Sequence, residues 1–553
     1  MKEADADYRA GVSALHGGDL NAALADFKKV VRLAPAAEQG HSALGAVLFA
    51  LGRADEGIPE LEKALAMQPG DRTAQLNLAL AYERSGRAAK ALPWFAKLEA
   101  QARADKHALP SSALEPYARA LAAAGQSAAA VAKMKQAAAA DPQNPEPLDE
   151  LGSLYAQRRE WAEAQRSFAA AIQLRPELAM AHLHLGIALN AQQQPGGLDE
   201  LATAYRLAPR DARIALELGQ ALAKAGQDEQ AIPVLQRAVE VDPNSTQAAY
   251  QLGLALQRSN RAQEAVPLLR RASAADPANA EMLTNLGMAL CQTQQAKDAA
   301  PVLRRAVELT PDNPTAHQNL AAAYIQLSQF DDAEAQLRAA LQLAPNASQL
   351  HYDLGLALKN QDNAAAAIPE LEAAERLDPA APEAPYLLGV LYLQAGRYDD
   401  AARELNLSLK LRPENGDGWA TLGSVQNHRN QLPEAEAALR EAIRQAPRQP
   451  DPHLTLAAVL AKENHPAEAA AERKLAADLM RANMNRQRAE VATNSANSLL
   501  ADGKLDDAEA GFREALSFDP DYADAHLGLA KALERQGKAA EAAAERQKGE
   551  APH

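Results

Sequence analysis

Large apolar residues in this chain fall four places apart beside a small residue, in a pattern that repeats along the sequence. Clear cases are Leu151-Gly152-x-x-Tyr155 followed by Ala164, Phe168, Ala171 and Pro176, and Leu388-Gly389-x-x-Tyr392 followed by Gly396, Ala401, Leu405, Ser408 and Pro413. Residues four apart share one stripe of an α-helix, so the Leu/Tyr pair predicts a first helix whose glycine lets a neighbour approach closely. The later alanine does the same for a second helix, and the Phe or Leu four residues beyond it fills the gap between the two. Proline cannot continue a helix interior, so the closing proline ends the second helix and restarts the chain. Each unit therefore reads as a helix–turn–helix hairpin.

The closing prolines set the period. Pro142, Pro176, Pro209, Pro243, Pro277, Pro311, Pro345, Pro379, Pro413 and Pro447 are spaced by 34 residues with one interval of 33, and Pro35, Pro69 and Pro520 extend the series outward. A lone hairpin leaves apolar surface wet, and at roughly 25 cal/mol per Å² that surface is buried only against the next hairpin. The pattern resembles the tetratricopeptide-repeat (TPR) consensus almost position for position over nearly the whole chain. The resemblance implies an all-α fold, a TPR α-solenoid in which about sixteen antiparallel helix pairs wind into a right-handed superhelix.

Irregularities divide the array. One residue is missing near Gln192-Gln193-Gln194-Pro195, and five-residue insertions fall at 106–110 and 484–488, each after a unit with arginine (Arg103, Arg481) in place of the closing proline. The expected organisation is an N-terminal block of three units at 1–105, a central block of eleven at 111–483, and two final units with a polar cap at 489–553. The second helix before each insertion should run on, and the stretch from Ala467 to Leu500 holds no Pro or Gly to stop it. In the last unit Arg546 stands where a core Phe or Leu is expected, as suits a cap.

Composition agrees with packed helices: 47% of residues are hydrophobic and only 4% aromatic. A net charge of −15 repels phosphate backbones and argues against nucleic acid as a partner. The single cysteine, Cys291, excludes an intramolecular disulfide and every Cys-rich zinc pattern. No transmembrane segment and no signal peptide is legible, so the cytoplasm is the default compartment, with export expected if a signal upstream of Met1 has been trimmed. Oligomeric state is not encoded in the pattern.

Catalytic chemistry is hard to assemble. No phosphate loop, dinucleotide fingerprint, nucleophile elbow or HExxH motif occurs, and the twelve histidines look scattered and without organised partners. His182 and His184, two apart on a helix, point away from each other and cannot share a metal. Cys291 reads as a packing residue. Acidic pairs such as Asp331-Asp332 and Asp399-Asp400 sit where second helices start and should cap them. The basic run Arg473-Lys474, Arg481, Arg486 and Arg488 reads as the solvated face of a long helix, with an acidic partner or an anionic lipid surface as the alternative. No cofactor, no metal and no enzymatic activity is expected.

The resemblance places ligand contacts on the first helices, which line the concave face in TPR proteins. The sixth residue of each unit from the fifth to the eleventh reads Glu150, His184, Glu217, Gln251, Asn285, Asn319 and Asp353, all polar. Amides and carboxylates spaced about 10 Å apart can bond the donors and acceptors of a peptide backbone. Tyr250, Tyr352 and Tyr386, one place earlier, add candidate aromatic contacts. The series is similar to the asparagine ladder in the TPR region of O-linked N-acetylglucosamine transferases, without the catalytic domain. The basic clamp by which chaperone-tail-binding TPR domains hold a terminal carboxylate is missing around Asn77 and Asn285. The expected function is a non-catalytic scaffold that binds an extended or helical segment of a protein partner. Two alternatives are an exported envelope or secretion assembly factor, which makes the same sequence predictions, and the substrate-recruiting subunit of a separately encoded transferase.

Overall fold

Why each hairpin closes is visible where its two helices cross. In the helix Ala212–Lys224, Gly219 faces Leu235 of Asp228–Val241 so closely that a Cβ on the glycine would lie 2.4 Å from the leucine Cγ. The same approach recurs between Gly287 and Leu303, and between Gly389 and Leu405. The partner side chains are fully buried, Leu235, Leu303 and Leu405 each at 0% exposure.

The computed structural model describes residues 2–550 and contains thirty-one helices and no strand among them. The chain is an all-α array of antiparallel helix pairs that divides into two compact units, Met1–Pro277 and Ala278–His553. The first unit runs from Lys2–His16 and Leu20–Leu33 to Thr246–Arg258 and Ala262–Ala275 as eight helix pairs. In the second, regular pairs run from Ala280–Gln292 and Ala296–Leu309 to Gly416–His428 and Leu432–Gln445. Within each unit every helix packs mainly on its sequence neighbours, so the core is a continuous seam.

Local signals fix the helix ends. The turn inside a pair is made by one left-handed residue, as at Gly86 (φ 69°), whose flanking Arg87 N–H donates to the Tyr82 carbonyl at 2.8 Å. Some first helices are capped by short polar side chains: Asp71 accepts from Thr73 N–H at 2.9 Å, and Asn415 from Gly418 N–H at 3.1 Å. Second helices differ from expectation. Asp331-Asp332 and Asp399-Asp400 lie inside the first turn, starting two residues past Gln329 and Arg397 at the caps, and neither cap side chain accepts a capping hydrogen bond; Arg397 instead donates to Asp400 at 2.8 Å. The acidic pairs complement the helix dipole without capping it.

Both irregular second helices are elongated. Ala88–Ala104 has 17 residues against the usual 14 and stops at Asp105, where Lys106 turns through φ 59°. Pro466–Ala501 does not stop: its 36 residues serve first as the partner of Pro450–Lys462 and then as the partner of Leu505–Phe518. It also touches Ala523–Arg535. One helix thus stands where a helix, a turn and a second helix would otherwise be.

The histidines are not scattered. Six of them occupy the same place, four residues into a unit, and each joins the carbonyl of the preceding closing proline to the second helix of its own pair. His41 Nε2 donates to Pro35 O at 2.9 Å while Nδ1 lies 2.5 Å from Glu60. His182 spans Pro176 O and Glu200, His317 spans Pro311 O and Gln336, and His351 spans Pro345 O and Glu370. His453 and His526 repeat the bridge with Glu472 and Glu545. The carbonyl can only accept, which fixes Nε2 as the donor. Where a unit lacks the histidine, Gln75 and Trp419 supply the same bond, to Pro69 O at 2.6 Å and Pro413 O at 2.8 Å.

Two substitutions test these contacts. Gly219→Ala gains about 1 kcal/mol of helix propensity but meets Leu235, and a net loss of about 1–2 kcal/mol is expected in urea unfolding. Gly70→Ala, with open space around it, should be close to neutral. His41→Ala should cost about 1–3 kcal/mol by stranding the Pro35 carbonyl, and His41→Gln should recover part of that because Gln75 makes the same bond elsewhere.

Candidate functional site

The seven sixth-place residues all lie on first helices, and all are half-buried. The first unit holds Glu150 on Glu146–Gln157, His184 on Ala179–Ala191, Glu217 on Ala212–Lys224 and Gln251 on Thr246–Arg258. The second holds Asn285 on Ala280–Gln292, Asn319 on Pro314–Gln326 and Asp353 on Ser348–Asn360. Half-burial follows from the period: the next residue, Leu or its equivalent, points into the core, so the sixth residue sits on its shoulder.

Several rungs are already tied to neighbouring helices, which spacing alone does not reveal. Arg119 donates to Glu83 at 2.9 Å and to Glu150 at 3.0 Å, lacing three successive first helices together. His184 Nδ1 donates to Asp149 Oδ1 at 2.9 Å, and its ring tilts against Phe168. Asp353 accepts from Gln318 at 2.7 Å and from Gln349 at 2.8 Å. Most of these partners lie 31 to 36 residues apart in sequence, which is one repeat displaced by one to three residues.

Burial dominates the electrostatics of two rungs. It pushes the Glu150 carboxyl up against the pull of Arg119, and Glu150 Oε2 is a buried acceptor without a hydrogen-bond partner. It also pushes the Asp353 carboxyl up despite the two glutamine donors. Glu217 borders a widening of the face. There an open pocket of about 600 Å³ lies between Ala179–Ala191 and Ala212–Lys224, lined also by Ile187, Asn190, Gln220 and Lys224. Its origin is the missing residue: the chain turns through Gln193 (φ 55°) and Gly196 (φ 89°), and the second helix shrinks to Gly197–Leu207.

The tyrosines divide. Tyr250 is buried, at 5% exposure, whereas Tyr352 and Tyr386 are half-buried with their hydroxyls pushed up mainly by burial. Cys291 is buried, and burial pushes its thiol up to about 11, the opposite of an activated nucleophile. His182 and His184 engage different partners, Glu200 and Asp149. No cluster of three or more His, Cys, Asp or Glu suited to a metal occurs among the described residues. No described helix is long and apolar enough to cross a membrane.

Family models for the tetratricopeptide repeat match residues 42–106, 150–197, 250–314, 352–416 and 386–450, with further matches at 292–354 and 5–37. A TPR-repeat model matches 219–260 and 496–537. Among solved structures the chain is similar to YrrB, described as a TPR protein with an unusual peptide-binding site. That match has 24% identity, covers 33% of this chain and 95% of YrrB, and has a TM-score of 0.31. Similarity to the APC/C hetero-tetramer Cut9-Hcn1 covers 96% of this chain and 97% of that one at 15% identity and a TM-score of 0.35. For MamA from Desulfovibrio magneticus RS-1 the identity is 24%, the coverage 30% and 95%, and the TM-score 0.29. No curated protein matches the chain in sequence.

Asp353 gives a pH test. Its folded value is raised, so the ionised form is a cost that is absent below the ordinary value of 3.8 and appears as pH rises through the folded value. Asp353→Asn should therefore raise the melting temperature at pH 7, and the gain should vanish when melts are repeated below that ordinary value.

Proposed function

Because the chain belongs to the tetratricopeptide-repeat family, we propose that it is a non-catalytic scaffold that holds an extended or helical segment of a protein partner along the first-helix face. The family and the all-α array support a protein–protein interaction role in general. The observation that carries the finer reading is the sixth place of seven consecutive pairs, which is polar every time and half-buried every time. A half-buried amide or carboxylate is held in place by packing yet keeps bonding capacity on its open side, which is what recognition of a peptide backbone requires.

Each such bond contributes only ~1 kcal/mol net, so affinity comes from several made together along the segment. Tolerance of partner sequence follows, because backbone groups are the same in every peptide. Glu150 and Asp353 favour partner N–H donors, and Asn285 and Asn319 take either donors or acceptors.

The test is partner recovery by the full chain and by an Asn285→Ala, Asn319→Ala variant of unchanged helicity, with Gln251→Ala tested separately. Loss of the two bonds within the second unit should weaken binding by about 2 kcal/mol, on the order of thirtyfold. Equal recovery by the full chain and both variants removes the sixth-place series from the binding site.

A further inference from the structure

The long helix Pro466–Ala501 has a bare middle. Its buried residues are Ala469 and Ala476 towards one end and Ala489, Thr493, Ala496 and Leu500 towards the other, and none lies between Ala476 and Ala489. In a regular unit that stretch would be a turn, and the helices beside it would be covered by their neighbours. Here the inserted residues keep the helix going past the last residue that a neighbouring helix buries.

Large apolar side chains are nonetheless exposed on and just beyond the bare stretch: Met480 and Met484 on it are 42% and 47% exposed, and Val491 past its end is 66% exposed. With Ala477 and Gln487 they follow a 3,4,3,4 spacing, which is the apolar seam of a coiled coil. At 100° per residue these five positions stay within an arc of about 80°, and they span about 21 Å of helix. Lys474, Arg481 and Arg488 recur every seven residues along one flank of that seam, and all are exposed. From 473 to 488 five basic residues stand against the single acid Asp478, in a chain whose net charge is −15. Arg481 is 3.5 Å from Asp478 in an exposed pair of small worth, Arg486 reaches Asp519 at 3.8 Å, and the Arg488 guanidinium lies 5.9 Å from the Phe518 ring. Among the described residues no carboxylate pairs with Lys474 or Arg488.

We propose that this seam is a second docking surface, separate from the first-helix face, and that its occupant is an acidic amphipathic helix of a protein partner. The narrow apolar stripe fits one helix of about four turns. The basic flank selects glutamate or aspartate beside that helix's own seam. A second copy of this chain packed antiparallel on the seam would set the basic flanks against each other. A lipid surface calls for a broad apolar face with aromatic anchors, whereas this stripe is narrow and interrupted by Gln487.

The test uses two fluorescein-labelled 21-residue peptides with the same Leu/Ile heptad seam, one flanked by glutamates and one by lysines, kept below their self-association concentration. Fluorescence anisotropy with the full chain should show the glutamate peptide binding at least about tenfold more tightly at low salt. Attraction by the chain's overall negative charge would give the reverse order, so this preference reports on the seam. Met484→Glu should abolish the binding. A Lys474→Glu, Arg481→Glu, Arg488→Glu variant should invert the preference, which an unfolded variant could not do. The proposal is overturned if the two peptides bind equally or if neither variant changes the affinities. It is also overturned if the wild-type chain sediments as a dimer that Met484→Glu dissociates, or if the triple variant loses binding to phosphatidylcholine/phosphatidylserine vesicles in place of the peptide.

Discussion

Everything in this protein depends on how closely the two helices of a pair can approach. Where Gly219 meets Leu235, or Gly287 meets Leu303, the absence of a Cβ lets a leucine lie against bare backbone. That contact fixes where the helices cross, and the crossing fixes which side chains face the next pair. Apolar burial supplies the driving force, but burial is non-directional and would accept many arrangements. The glycine contact selects one of them and recurs along the array, with alanine at the same place in other pairs, as at Ala79, Ala118, Ala321 and Ala457. Where the residues differ the same need is met differently, as where Phe168 fills the space against Gly152.

The histidine bridges add a second constraint at the junction between pairs. A proline that ends a helix leaves its own carbonyl in a loop, and a carbonyl at a packed junction needs a donor. His41, His317 or Gln75 provides it, and the carboxylate or amide on the second helix holds the ring in place. The helix pairs were legible in the sequence because their information is local and recurs at fixed spacing. These bridges are legible too, because each of the six histidines stands six residues after a closing proline. The members of the motif are one or more repeats apart, so the spacing between neighbouring histidines does not display it.

The candidate site was less legible, for a physical reason. Repeat register tells which residues lie on first helices, and all seven sixth-place residues do. It does not tell which of them are already engaged, because engagement depends on residues about one repeat away, as for Arg119 with Glu150 or Gln318 with Asp353. Nor did it reveal that Tyr250 is buried while Tyr352 and Tyr386 remain half-open, since that difference depends on how neighbouring helices sit over each ring. The missing residue near Gln193 was visible as a gap in the count, but its result, an open pocket beside Glu217, is a property of the shortened helix.

In a stacked array each pair is normally coupled to the next through a side-chain interface, and unfolding spreads from one to the next through that interface. At Pro466–Ala501 the coupling takes another form. The helices beyond Ala489 are joined to those before Ala476 by a continuous rod of backbone hydrogen bonds, with no buried side chain over the middle of it. Such a rod couples its two ends through the backbone, yet no packed side chain protects its centre. Melting a single turn of that centre would therefore uncouple the terminal helices from those before Ala476.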